Sequence, residues 1–289
     1  LKTTVNKSYT LFEFLREKYP DSPRTRIKKL LQSGNIKVND LAVTLHSLKL
    51  NPGDIVEISA QKGTKTSPFL PFPVLYEDDA VIAVDKPAGY STSSIDGSAD
   101  IISAVSKALM DASRGKVRAF VVHRLDKEVS GVLLFAKSEK AMDTLKNNWK
   151  DTEKHYYAFV EGIPAKEEDT IKSWLVEDHK QKVHSTHKTE NAKYSVTSYK
   201  VIKVIGENSL LDVTTGTGRK NQIRVHLSDI GCPIIGDRKY GASDKFIRRI
   251  RLHACSLSFP HPVKRNTITI KSPMPDGFLV LKAEDEHYK

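Results

Sequence analysis

Apolar residues repeat with helical spacing at Leu11, Phe14 and Leu15, and again at Ile27, Leu30 and Leu31, which predicts two short helices early in the chain. The second is punctuated at both ends. Ser22 suits its cap, Pro23 its first turn and Gly34 the position just past its end. Its apolar stripe must face a core, which leaves Arg24, Arg26, Lys28 and Lys29 for the other faces. Ile36-Lys37-Val38 and Ile55-Val56-Glu57-Ile58 then read as strands beside the turns Asn39-Asp40 and Pro52-Gly53-Asp54. From Gln61 to Pro73 the text QKGTKTSPFLPFP has no period and carries three prolines, as a linker does. Strand-like runs dominate afterwards: Val74 to Val84, Ala119 to Val122, Val132 to Ala136, Tyr156 to Val160, Lys193 to Val204 and Leu210 to Thr214. Many are adjacent in sequence, so a mixed, mainly antiparallel sheet with flanking helices is expected. One helix is capped by Ser138 and runs through Ala141, Leu145 and Trp149. Another opens near Asn221, runs through Ile223 and His226 to Ile230, and ends at Gly231. The expected organisation is α+β, with a small domain over residues 1–62, a linker over 63–72 and a large domain over 73–285.

Composition narrows the function classes. Two cysteines, Cys232 and Cys255, make neither a disulfide framework nor a zinc cage, and read as reduced thiols. No apolar run approaches the ~20 residues a membrane helix needs, and the first ten residues, LKTTVNKSYT, contain no apolar signal core. A soluble, cytoplasmic protein without a membrane partner is the expectation. The net charge of +11 favours a polyanionic partner. Its distribution says more: residues 1–62 hold 11 Lys and Arg against 6 Asp and Glu, while the other 227 residues supply only +6. Per residue the leading segment is roughly three times as basic, an electrostatic footprint for nucleic acid. The ten histidines show no ligand spacing; three of them lie in the polar stretch EDHKQKVHSTHKTEN, which reads as a solvated loop near RNA rather than a metal site.

The stretch HRLDKEVSGVLLFAKS, His123 to Ser138, carries the most chemical information. Arg124 and Asp126 sit in a tight loop between core strands, which is costly unless they are paired or used. A protein kinase also shows His-Arg-Asp, but here Leu125 intervenes and no Gly-rich phosphate loop or Asp-Phe-Gly follows. A glycosidase pair of Asp126 and Glu128 is the other reading, without a third carboxylate or an aromatic cluster to support it. Gly216 to Lys220 lacks the spacing of a phosphate-binding loop.

His123-Arg124-Leu125-Asp126 with Ser130-Gly131 resembles the active-site motif of the RluA-type pseudouridine synthase family. Three further segments agree in order: Lys86-Pro87-Ala88-Gly89, the strand Lys154 to Gly162, and Thr217 to His226 followed by Gly236-Asp237 and Tyr240-Gly241. Val129 stands where the family usually has Thr, and Lys220-Asn221 replaces Thr-His. The leading segment SPRTRIKKLLQSGNIKVND is similar to the alpha-L RNA-binding fold of ribosomal small-subunit protein four.

The family resemblance implies that a uracil N-glycosidic bond is broken and the base rotated and rejoined through carbon, with no cofactor and no metal. It implies Asp126 as nucleophile, attacking either the ribose or the uracil ring, Arg224 opposite it, and Tyr156 against the base. Arg124 would fill the gap that a flipped base leaves. Lys154, Arg219, Gln222 and Leu252 are the further substrate-side candidates, and Arg24, Arg26, Lys28 and Lys29 the first phosphate contacts. The partner implied is RNA, ribosomal RNA or a ribosome precursor before transfer RNA, and the protein is expected to be a monomer. A non-catalytic RNA-binding protein on the same fold is the alternative.

Overall fold

A computed structural model describes residues 2–20, 22–23, 27, 36–38, 41–42, 48–58, 70–94, 100–243 and 249–280. The chain divides into two compact units, Leu1–Val74 with Ala104–Arg118, and Leu75–Ser103 with Ala119–Lys289.

The first unit contains β1 (Lys2–Thr4), β2 (Tyr9–Thr10), α1 (Leu11–Lys18), β3 (Ile36–Val38), β4 (Leu41–Ala42), β5 (Lys49–Leu50) and β6 (Ile55–Ile58). Helix α1 starts where it does because Thr10 and Glu13 form a capping box. The Thr10 hydroxyl accepts the Glu13 amide at 3.3 Å, and the Glu13 carboxylate accepts the Thr10 amide at 2.8 Å. Leu11, Phe14 and Leu15 are buried as their spacing predicts, packed with Val5, Ile27, Ile36, Leu50 and Val56. Strands β1, β6, β3 and β4 form one sheet in that order, and β2 pairs with β5. Arg24, Arg26, Lys28 and Lys29 lie outside the described residues, as do Gly34 and the turn Asn39-Asp40.

The second unit is built on one large sheet. Its strands are β7 (Val74–Glu77), β8 (Val81–Lys86), β9 (Phe120–Val121), β10 (Ser130–Ala136), β11 (Glu153–Glu161), β12 (Glu168–Glu177), β13 (Val183–Thr186), β14 (Lys193–Ile205), β15 (Asn208–Thr215), β16 (Leu252–Pro260) and β17 (Thr267–Lys271). The order is β13-β12-β14-β15-β11-β16-β10-β8-β7, with β17 beside β16 and β9 beside β10. Among the described pairs only β10–β16 is parallel, so the sheet is mixed and mainly antiparallel, as expected from the short connections between consecutive strands. Helix α2 (Ile101–Ser113) starts in this unit and runs mostly in the first, while α3 (Glu139–Asn147) and α4 (Gln222–Asp229) belong to the second.

Local chemistry explains the elements that shape the site. Every residue of β10 is buried, which is why it reads as an unbroken apolar run. Gly131, at φ 116°, is required where β10 meets β16: a Cβ there would lie 2.2 Å from the Ala254 carbonyl oxygen. Ser138 caps α3 through the Ala141 amide, and the helix ends at Asn147, so Trp149 falls in a separate 3-10 turn rather than in the helix. The polar stretch around His184 is not simply a loop. Val183 to Thr186 pair with β12, because Val183 is buried among Leu175, Val225 and Tyr240. Strands β12, β13, β16 and β17 and helix α2 add to the elements the pattern predicts. No described helix is long and apolar enough to cross a membrane.

Candidate active site

Asp126 lies in the loop joining β9 to β10, and four groups fix that loop. Its own backbone closes a turn, with the Val129 amide donating to the Asp126 carbonyl at 3.1 Å. Thr92 grips the preceding residue twice: its hydroxyl donates to the Leu125 carbonyl at 3.0 Å and accepts the Leu125 amide at 3.1 Å. Lys86, fully buried at the end of β8, extends Nζ to the carbonyls of Pro87 at 3.1 Å, Tyr90 at 2.8 Å and Lys127 at 3.2 Å. The Gly89 amide also donates to the Lys127 carbonyl, at 2.8 Å. The Lys-Pro-Ala-Gly segment is thus the brace of the Asp126 loop. Burial pulls the Lys86 pKa down to about 8, against the opposing charges of Glu128 and Asp126.

Arg224 projects from α4 and meets this loop. Asn221, just before the helix, sits in the left-handed region at φ 54°, and its side-chain oxygen accepts Arg224 Nη1 at 3.2 Å. Asp237, itself buried, takes the guanidinium in a two-pronged clamp, from Nε at 2.6 Å and from Nη2 at 2.9 Å. Nη1 is left to face Asp126 Oδ2 at 3.5 Å and Glu128 Oε2 at 3.6 Å. Below it lies the Tyr240 ring, 5.0 Å from the guanidinium carbon. Burial opposes the Arg224 charge, yet the Asp237 hydrogen bonds and charge outweigh it and hold the group protonated. Asp126 has the reverse balance: burial raises its carboxyl pKa, and Arg224 only partly pulls it back.

A cavity of about 180 Å³ opens in front of Asp126. Tyr156 of β11, Leu252 of β16, Val129 and Ile223 supply apolar lining, while Arg124, Arg219, Gln222 and Arg224 reach it from the loops. That is below the ~300–1,000 Å³ of drug-sized ligand sites and suits a single flat ring. Tyr156 stands at a bulge, where the β11–β16 register shifts between His155 and Tyr156. Burial, and after it the charge of Asp126, raises the Tyr156 pKa. A phenol so held stays neutral and offers no phenolate to take a proton, so stacking is the chemistry its surroundings favour.

Of the residues singled out from sequence, Asp126, Tyr156, Arg224, Arg124, Arg219, Gln222 and Leu252 all line this one cavity. Gln222 spends its amide inside the protein: it donates to Val196 O at 2.8 Å and Thr197 Oγ1 at 2.9 Å, and accepts from Thr217 Oγ1 at 2.6 Å and the Arg219 amide at 3.1 Å. It therefore shapes the loop. Lys154 is not in the cavity; it lies over the Trp149 ring at 5.8 Å. His123, the first residue of the motif, stacks on Trp149 at 4.8 Å and accepts the Leu134 amide at Nε2, 3.0 Å away. Burial takes its pKa down to about 3, so it is a neutral structural group. Thr92 is a site residue that sequence reasoning did not single out, and Asn221 and Asp237 were noted there as motif positions without a role. Among the described residues, no three His, Cys, Asp or Glu side chains gather as a metal site.

The family model described as RNA pseudouridylate synthase matches residues 80–229. An RNA pseudouridine synthase of Synechocystis sp., itself uncharacterized, is 31% identical over 283 residues, covering 93% of this chain and 86% of the relative. The ribosomal large subunit pseudouridine synthase C of Vibrio cholerae is 30% identical over 285 residues, covering 90% of this chain and 88% of that one. In fold, the solved structure of human RNA pseudouridylate synthase domain containing 4 superimposes with a TM-score of 0.61 at 22% identity, over 71% of this chain and 90% of that one. The chain belongs to the RluA-type family of RNA pseudouridine synthases, and is an isomerase that acts on RNA.

Proposed function

We propose that this enzyme converts specific uridines of large-subunit ribosomal RNA to pseudouridine, with Asp126 as the nucleophile. The observation that carries the nucleophile is the placement of one carboxylate on the cavity wall, 3.5 Å from the Nη1 of a buried arginine that is fixed by other partners. The ribosomal target rests on the name of the Vibrio cholerae relative. Asp126 forms a covalent bond to the substrate, at the ribose or at the uracil ring, and the N-glycosidic bond breaks. The base turns and rejoins through carbon as the bond to Asp126 breaks and frees its carboxylate; one proton leaves that carbon and one returns to nitrogen, so the mass of the RNA is unchanged. Arg224 keeps Asp126 ionised and aimed, and Tyr156 and Leu252 hold the ring. Arg124 occupies the stack that the base vacates. The basic residues 1–62 bind RNA outside the site, and the enzyme works as a cytoplasmic monomer.

The test is an assay on unmodified ribosomal and transfer RNA with the intact protein and Asp126→Asn, mapping pseudouridine by chemical labelling and reverse-transcription stops. Stops in large-subunit RNA with the intact protein alone are expected. Stops confined to transfer RNA would move the target. Salt-sensitive binding without any stop would make the chain a binding module. Arg124→Ala should lower activity at least tenfold more on structured RNA than on a loose single strand, since base extrusion costs a few kcal/mol only in the former; equal losses on both would remove the gap-filling role.

A further inference from the structure

The cavity that takes the ring has a neighbour on the other side of the Asp126 loop, of about 240 Å³. Arg124, Leu125, Asp126, Lys220, Asn221 and Arg224 line both, so Asp126 stands on the wall between them. Their linings differ in kind. The first presents Val129, Tyr156, Ile223 and Leu252. In the second, Leu125 is the one apolar residue among the described lining; Ser91, Thr92, Ser93, Lys127, Glu128, Gln181 and Lys239 complete it. Five cationic side chains border this second chamber against two carboxylates, Asp126 and Glu128, and both carboxylates already face Arg224.

The chamber is also built rather than incidental. Lys239 Nζ donates to the Gln181 carbonyl at 2.9 Å, which ties it to the β12–β13 turn. The Tyr240 hydroxyl pins the same turn, accepting the Val183 amide at 3.3 Å, and pins Asn221 by accepting its side-chain amide at 2.9 Å. Gln181 O is a neutral acceptor, so this bond places the Lys239 charge without cancelling it. Lys220, by contrast, is paired with Glu177.

A nucleotide has one apolar flat part and one polar anionic part, joined by a single glycosidic bond. We infer that the second chamber seats the ribose and a phosphodiester beside the target uridine, with Lys127 and Lys239 as the phosphate contacts. The nucleophile then stands at the wall that the glycosidic bond must cross. This rests on the reading of the chain as a uridine-isomerising enzyme and adds to it where the backbone runs.

The experiment uses the full-length protein and a short RNA around a uridine mapped as above. That RNA is made with ordinary linkages, or with an uncharged methylphosphonate at the linkage on the 5′ or the 3′ side of the uridine. Lys239→Ala and Lys127→Ala are each expected to raise KM about tenfold on ordinary RNA, as a lost charge-assisted bond does, with kcat nearly kept. Lys239→Arg should retain most of the affinity. Each variant should also lower the slope of log affinity against log salt by about 0.7, the value for one contact on a single strand. On RNA already neutral at the contacted linkage, the penalty of the variant should vanish. Equal penalties on all three RNAs, or no penalty on any, would overturn the inference while leaving the enzyme reading intact. Absence of pseudouridine with the intact protein on every RNA would instead overturn the underlying reading, and this inference with it.

Discussion

Arg224 carries one positive charge and faces three carboxylates, and the division of its hydrogen bonds sets what Asp126 can do. Asp237 takes two of them, so the guanidinium would stay compensated and in place even while Asp126 was bonded to substrate. Asp237→Asn should therefore lower turnover by more than tenfold and cost about 3 kcal/mol of stability, the low end for an opened buried pair because Asp126 and Glu128 remain; urea denaturation and turnover measure the two. Asp126 itself is raised by burial. Activity should fall on the acid side at a pH above the ordinary carboxylate value of ~4. His123 cannot supply that limb, being neutral down to about 3. Because the folded state favours the protonated acid, stability declines as pH rises from the unfolded value through the folded one, and stays lower above it. Asp126→Asn should consequently melt higher than the intact protein at pH 7, with the gap closing toward pH 4, while its activity is lost. At this scale the motif made Asp126, Arg224 and Tyr156 legible. The partners were not: nothing in one sequence marks Lys86 as buried on three carbonyls, or Thr92 as a clamp on a residue 33 positions away.

Elements explain why those side chains converge. Strands β10 and β16 approach so closely at Gly131 that a methyl group has no room. Gly131→Ala should separate the parallel pair and cost more than ~4 kcal/mol, or prevent folding, as measured by chemical denaturation. Helix α3 was readable because its apolar spacing and its capping serine agree, and β10, β11 and β15 because each carries a run of apolar residues. Strand β16 was not. A strand covered on both faces should read as an apolar run, but LHACSLSFP carries His253, buried at 0% exposure with Nδ1 bonded to Ser130 Oγ at 2.9 Å. A polar pair satisfied across strands far apart in sequence hides the strand from any local pattern. Strand β13 escaped similarly: in VHST, Val183 alone supplies apolar burial. Helix α2 posed no such obstacle, since Ile101, Val105, Ala108 and Leu109 form a plain helical stripe.

For the whole molecule, the net charge of +11 and its concentration in residues 1–62 make a long-range prediction. Removing that segment should weaken RNA binding and flatten its salt dependence, while the large sheet keeps its fold, because the cluster of Leu11, Phe14, Ile27 and Val56 is separate from that of Val81, Leu134, Leu145 and Phe259. An unchanged salt slope would retire the RNA-binding role of the segment. The sheet order carries one more consequence. Strand β16 arrives late in the chain yet lies between β10 and β11, which join two halves completed much earlier. Both halves exist only once β15 ends at Thr215, so both present open edges while residues 216–251 are being made, at ~5–20 residues per second. A ribosome stalled or a message truncated before residue 252 would release a sticky, siteless fragment that chaperones and proteases must clear. The β10 side and the β11 side of the cavity are thus bridged by the strand that is synthesised late.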